Sequence, residues 1–281
     1  MLLGLAKGKV GDLVFYRDGG EQRTRTRVIP KNPRTPAQMQ QRAKIANVSA
    51  LYRALASVLA DSFTNRPSNQ SGYNVFASTA IGLSPYMTKQ QATAACVLPQ
   101  PTLVSRGVLP TIEYLGAGEG GDGAVAMGLD GEFTAASTVA QVSAALIAQY
   151  PSIQQGDELT FVSLLFNAIE GADGDADVYA AVPDIVNFKV DITSAVTLSN
   201  SGLAFSAGTL ASAEAVSQSA DGPTMQAIMH SRVDENGQLQ LSTQWARLNK
   251  DAQALYNEYR TEQAISDAIE SYMAGAEPVL R

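Results

Sequence analysis

The 281-residue sequence holds one cysteine, one histidine and one tryptophan, and only 17% of its residues are charged. Cys96, the sole thiol, cannot form an internal disulfide or share a metal with a second thiol. The sequence therefore fits a reducing compartment or indifference to redox state, with Cys96 expected as a small buried hydrophobe. With His230 as the only imidazole, neither a His/Cys metal cluster nor a Ser/His/Asp set with a second candidate base can be assembled, which leaves His230 a satisfied structural or surface role. No apolar run reaches about 18 residues, and the opening "MLLGLAKGKVG" sets a short apolar run before two lysines, the reverse of a signal peptide's order. A soluble, unexported chain without membrane association is expected. "GAGEGGDG" (116–123) lacks the Lys-Ser/Thr and the following helix that phosphate cradling needs, and reads as a flexible hairpin loop. Carboxylates are plentiful, but no basic partner promotes a pair to general acid and base. The expectation is a non-enzymatic protein with no cofactor.

What is present begins with a core. Hydrophobic residues make up 45% of the chain, enough for one large domain or for two smaller ones with appendages. Charge is distributed unevenly. Residues 1–66 carry twelve Lys or Arg against four Asp or Glu, a balance of +8, whereas the remainder carries eight against twenty-three, a balance of −15. A basic head on an acidic body means that the two parts face different partners, or that one copy's head meets another copy's body.

In the head, "KGKVGDLVFYRDGGEQRTRTRVIP" reads as two extended segments, 9–17 and 21–29, joined by Asp18-Gly19-Gly20 in a tight β-hairpin turn. Period two puts Arg23, Arg25 and Arg27 on one face, about 6.6 Å apart, and Thr24, Thr26 and Val28 on the other. A two-stranded hairpin is marginal alone, so this one is expected to pack on its own body or on a neighbouring subunit, as an arm. Pro30, Pro33 and Pro36 then hold the chain extended. Thr35 stands as N-cap, Pro36 at the first helical position and Gln38 where a capping box wants it, so a helix is predicted over 36–62. Its expected apolar stripe is Ile45, Val48, Tyr52, Leu55 and Leu59, with Met39 and Ala56 near the edge and Arg42, Lys44 and Arg53 on the solvated side.

The body reads as a loop at 65–74, a short helix near 73–81, and strands at 93–98, 102–105, 110–114, 123–129, 159–167, 178–180, 186–193, 203–206, 213–219, 224–232 and 238–245. One helix is expected at 137–150, hairpin turns at 221–223 and 234–238, and an amphipathic helix over 249–275 marked by Leu255, Tyr259, Ile265, Ile269 and Tyr272. The fold class predicted is α+β, mainly β: an N-terminal β-hairpin arm (1–34), a helical segment (35–91), a β-sandwich-like body (92–248) and a C-terminal helical tail (249–281). In "EGADGDADVYAAVPD", Asp173, Asp175 and Asp177 alternate as hard-cation ligands can, but Val178 stands where a glycine is expected and Asp184 where a bidentate Glu is usual. A solvated acidic turn is the preferred reading, with these three aspartates as a weak metal candidate.

Gly8-Lys9-Val10-Gly11-Asp12, then Val14-Phe15-Tyr16, an Arg-rich second strand and "NPRTPAQ" with Arg42 beyond it, resemble an N-terminal module of uncharacterised structural proteins from gut Bacteroidetes and their tailed (crAss-like) phages. "SGYNVF" (71–76) and "MHSRVDENGQL" (229–239) resemble later features of the same group, and the long Ala/Ser/Gly-rich middle departs from it. The resemblance implies a non-enzymatic structural protein of a virion, assembled in the host cytoplasm, with no catalytic residues to carry over. Two function classes follow. In the first, Arg23, Arg25, Arg27, Lys31 and Arg34 dock the arm on other virion proteins or on further copies of the chain, in a head–tail ring, tail or capsid. In the second, the same arginines bind nucleic acid through phosphates. The first is preferred, because the head has no interleaved aromatic platform and the acidic body would repel a nucleic-acid backbone.

Overall fold

The computed structural model describes residues 7–18, 21–28, 34–115, 123–169, 177–206 and 208–274. By their contacts the residues divide into two units, Met1–Thr35 and Pro36–Arg281.

Gly11 decides the form of the first unit. Its backbone turns left-handed, at φ +57°, and splits the stretch expected as one strand into β1 (Gly8–Val10) and β2 (Leu13–Asp18). With β3 (Glu21–Thr26) these form an antiparallel sheet in the order β1-β2-β3. The expected hairpin is thus the larger part of a three-stranded sheet; its Gly19-Gly20 turn lies outside the described residues.

The second unit comprises α1 (Pro36–Ala54), α2 (Ala56–Leu59), α3 (Gly72–Ala80), α4 (Lys89–Thr93), β4 (Thr102–Ser105), β5 (Met127–Gly128), α5 (Val139–Gln149), β6 (Glu158–Ile169), β7 (Val178–Lys189), β8 (Leu203–Ser206), β9 (Thr209–Ser212), α6 (Ala213–Asp221), β10 (Thr224–Val233), β11 (Leu239–Leu241), β12 (Gln244–Leu248), α7 (Lys250–Glu258) and α8 (Glu262–Met273). A six-stranded antiparallel sheet runs β4-β12-β10-β6-β7, with β11 also paired to β10, and a smaller sheet runs β5-β9-β8. Most of β6 and β10, at the centre of the large sheet, is buried on both faces, which explains why these two read as near-continuous apolar runs. Val162, Leu164 and Phe166 of β6 pack with Met225, Ala227 and Met229 of β10 against Leu51, Leu55, Leu59, Phe76 and Tyr256 from the helices. The alternate residues Leu159, Phe161 and Ile228 pack against Leu146 of α5 and against Met127, Leu203 and Leu210 of the small sheet. The result is an α+β, mainly β protein in which two sheets face each other as in a sandwich and a helical layer covers the outer side of the larger one.

Several elements depart from the sequence reading. Helix 36–62 is interrupted at Leu55 and ends at Leu59, so that Phe63 can bridge Arg106 beside β4. Ile45 of the expected stripe is 47% exposed, and the buried side is instead Met39, Ala43, Asn47, Val48, Ala50 and Leu51. Asn47 escaped a pattern of apolar spacing because it is polar, yet it faces inward and accepts from the Leu98 amide at 2.8 Å. Stretch 213–219 is not a strand but part of α6, capped by Ser212, whose Oγ accepts from the Ala215 amide (3.3 Å); accordingly 221–223 is a helix end and not a hairpin turn. Stretch 93–98 contains the end of α4 and a coil through Ala95 at φ +57°, and 110–114 forms no strand. The segments 178–180 and 186–193 join in one strand, β7, because Pro183 sits on an edge strand where its missing N–H costs no ladder bond. Stretch 238–245 divides at Ser242-Thr243 into β11 and β12. The tail is two helices, since the Tyr259 carbonyl turns out to accept from the Tyr86 amide (3.0 Å) and Thr261 caps a new helix through the Ala264 amide (3.2 Å).

Candidate interaction surface of the basic arm

Register in the small sheet of the first unit fixes which side chains share a face. Tyr16 lies opposite Arg23, Val14 opposite Arg25, and Lys9 opposite Val14. One face therefore combines Lys9, Val14, Tyr16, Glu21, Arg23 and Arg25, three cations and one carboxylate with an aromatic and an aliphatic side chain. Val10, Leu13, Phe15, Thr24 and Thr26 form the other. All residues of β3 are exposed. The Arg25 guanidinium lies over the Tyr16 ring at 5.8 Å from its centroid, and Arg23 pairs with Glu21 at 3.8 Å, an exposed ion pair of small energetic weight.

The expected Arg comb is only partly realised. Arg23 and Arg25 project from one strand face as anticipated, while Arg27 follows the last strand residue and its amide donates to the Asp12 carbonyl (2.6 Å). Arg34 is exposed and left-handed at φ +49°. Lys31 lies outside the described residues. Lys9 joins the basic face through the Gly11 turn, a contribution that reading 9–17 as one strand had missed.

Elsewhere the buried groups that bear on chemistry are His230 and Cys96. His230 is fully buried; its Nε2 lies 2.7 Å from Asp157 Oδ2, and because an ionised carboxylate only accepts, that nitrogen carries the proton. Arg232 forks onto the same carboxylate through Nε and Nη2, both at 2.7 Å, and Nη2 also donates to the Ser152 carbonyl (2.7 Å). Burial pushes the Asp157 carboxyl up, but the Arg232 guanidinium, the Gln154 amide and His230 together hold it below the ordinary carboxylate value. His230 Nδ1 is buried without a hydrogen-bond partner. The trio ties the turn before β6 to β10. Among the described residues the serine hydroxyl in contact with the trio is Ser242 Oγ, which accepts from the His230 backbone amide (3.2 Å) and not from the ring, so it is not set up as a nucleophile. Cys96 is buried as expected, and burial pushes its thiol up to about 11 against the hydrogen bond from the Tyr179 amide, so thiolate chemistry is suppressed.

Among the described residues no group of three or more His, Cys, Asp or Glu could hold a metal ion. Of the acidic loop, Asp173 and Asp175 lie outside those residues, and the Asp177 carbonyl accepts from Gln91 Nε2 (2.9 Å). No described helix is long and apolar enough to cross a membrane. No family model, curated protein or solved structure matches this chain.

Proposed function

We propose that this chain is a non-enzymatic structural or assembly protein of a tailed-phage virion, belonging to its head–tail ring, tail or capsid, and that the basic arm docks it on neighbouring subunits. The observation that carries this reading is the composition of the first unit: a small sheet with Lys9, Arg23 and Arg25 on one face, on a chain whose two units differ in charge sign. Residues 1–35 hold eight basic and three acidic side chains, a balance of +5, and residues 36–281 hold twelve and twenty-four, a balance of −12. Exposed arginines beside apolar side chains suit a protein surface, since the planar fork takes carboxylates while Val14 and Tyr16 bury area. The resemblance of residues 8–42 to phage-associated structural proteins supports the virion setting.

Replacing Arg23, Arg25 and Arg27 together by Ser tests the reading. Light scattering should show lost association with partner subunits or further copies, with any DNA binding weak and insensitive to the replacement. Three phosphate contacts would instead give a log–log salt slope of roughly −2.7 on duplex DNA. A slope of that size that vanishes in the variant, with particle mass unchanged, would replace assembly by nucleic-acid binding.

A further inference from the structure

Between α2 and the helix-covered face of the large sheet runs an open groove of about 390 Å³. Val58, Ile185 and Leu239 give it apolar walls, the carboxylates Asp61 and Glu158 give it negative charge, and no Lys or Arg lines it. Ile185 and Leu239 are 36% and 37% exposed, so with Val58 they leave apolar area open along the groove. The groove borders β7, an edge strand of twelve residues. Tyr179 directs both of its backbone groups outward from the sheet, its amide to Cys96 Sγ (3.2 Å) and its carbonyl to the Val97 amide (2.9 Å). By the alternation of an antiparallel strand, Ile185 and Asn187 direct theirs outward as well.

We propose that this groove, with the β7 edge beside it, receives the basic face of the arm of a second copy of this chain. The inference rests on the docking role proposed above and adds the identity of the receiving surface. The two surfaces are complementary in composition. Asp61 and Glu158 match Arg23 and Arg25, and the apolar walls match Val14 and Tyr16, which share the arginines' face. They are complementary in backbone too. β3 is an edge strand of its own sheet, so it can lie along β7 as an added strand, the main chain supplying affinity and alternate side chains the selectivity. Pro183 removes one donor from the β7 edge and confines pairing to the segment beyond it, which borders the groove. Because donor and receiver are different surfaces of one chain, the contact closes either as a two-fold exchange of arms between two copies or, when each arm reaches a further copy, as a head-to-tail ring or filament.

Full-length wild type, R23E/R25E, D61K/E158K and an equimolar mixture of the two variants are compared by light scattering at low salt, with circular dichroism confirming the fold of each. The wild type should form multimers. Each variant alone should associate at least tenfold more weakly, and the mixture should regain association because the reversed charges again face their opposites. If half-buried Glu158 does not tolerate lysine, D61K alone, at an exposed position, should still weaken association. D61K/E158K that multimerises like the wild type overturns the groove assignment, while a defect confined to R23E/R25E leaves the docking role standing with another receiver. Unchanged association by R23E/R25E overturns both. A wild type that stays monomeric at every concentration, a mixture that does not recover, or multimers that form only on added duplex DNA also overturns the groove assignment.

Discussion

Asp157 accepts four hydrogen bonds while being almost inaccessible to solvent, and its partners reach it from two directions: Arg232 and His230 on β10, and the Gln154 amide within its own turn. Removing one member of a buried charged pair leaves the other uncompensated. Asp157→Ala should therefore destabilise the folded unit by about 3 kcal/mol at neutral pH, read by denaturant unfolding. The pH dependence has a definite sign. The folded carboxyl titrates below its ordinary value of about 3.9, so its stabilisation is present above that value and is lost as pH falls through the folded one. The gap between wild type and variant should be constant from pH 5 to 7 and close on acidification; a gap that widens in acid contradicts the ionised network. None of this was legible in the sequence beyond the solitary state of His230. Asp157 and Arg232 lie 75 positions apart, and only the pairing of β6 with β10 brings them together.

Local signals fared better where caps were strong and worse where short apolar residues alternate. Helices at 36, 72, 139 and 250 start beside the expected residues because each opens after a polar residue and continues with apolar spacing. Helix α6 was read as a strand because "ASAEAVSQ" alternates small apolar and polar residues. The decisive features were Ser212 as N-cap, as Thr88, Thr138 and Thr261 are for their helices, and Glu214 in the first turn. Ser212→Ala should cost about 1 kcal/mol in denaturant unfolding, because the cap is lost together with a bond to Asp184 Oδ2 (3.1 Å). A larger effect is expected at Gly107, which no pattern singled out. A Cβ there would lie 2.0 Å from the Leu241 carbonyl oxygen, and the clash is with backbone, which cannot swing away. Leu109 donates to that same carbonyl (2.9 Å), so the break between β11 and β12 is held by this close passage. Gly107→Ala should lower stability by about 3 kcal/mol or prevent folding; a melting temperature within a degree of wild type would show that the passage can widen.

For the molecule as a whole, the two-unit division makes deletion of residues 1–34 informative. The truncated protein should stay folded, with a melting temperature close to that of the full chain, because both large core clusters are built from residues 48–256. Outright unfolding would make the head a part of the body's core. Millimolar calcium should raise the melting temperature only slightly or not at all, since the spacing around Asp173, Asp175 and Asp177 lacks the required glycine; a rise of many degrees, abolished by Asp175→Ala, would contradict this. How far the candidate surface could be read in advance differs between its halves. The shared face of Arg23 and Arg25 follows from period two alone, but the groove is assembled from Val58, Asp61, Glu158, Ile185 and Leu239, which no local pattern connects. The helical layer has the same long reach. Helices α1 and α8 pack together around Ala43 and Ala268, and β4 pairs with β12. The earliest and latest segments of this unit to leave a ribosome are thus neighbours in the finished structure. A nascent chain halted near Arg260 has already synthesised every strand, yet the surface of α1 around Ala43 still lacks its cover. Stalled chains should stay open to limited proteolysis in α1 until the segment through Met273 has emerged.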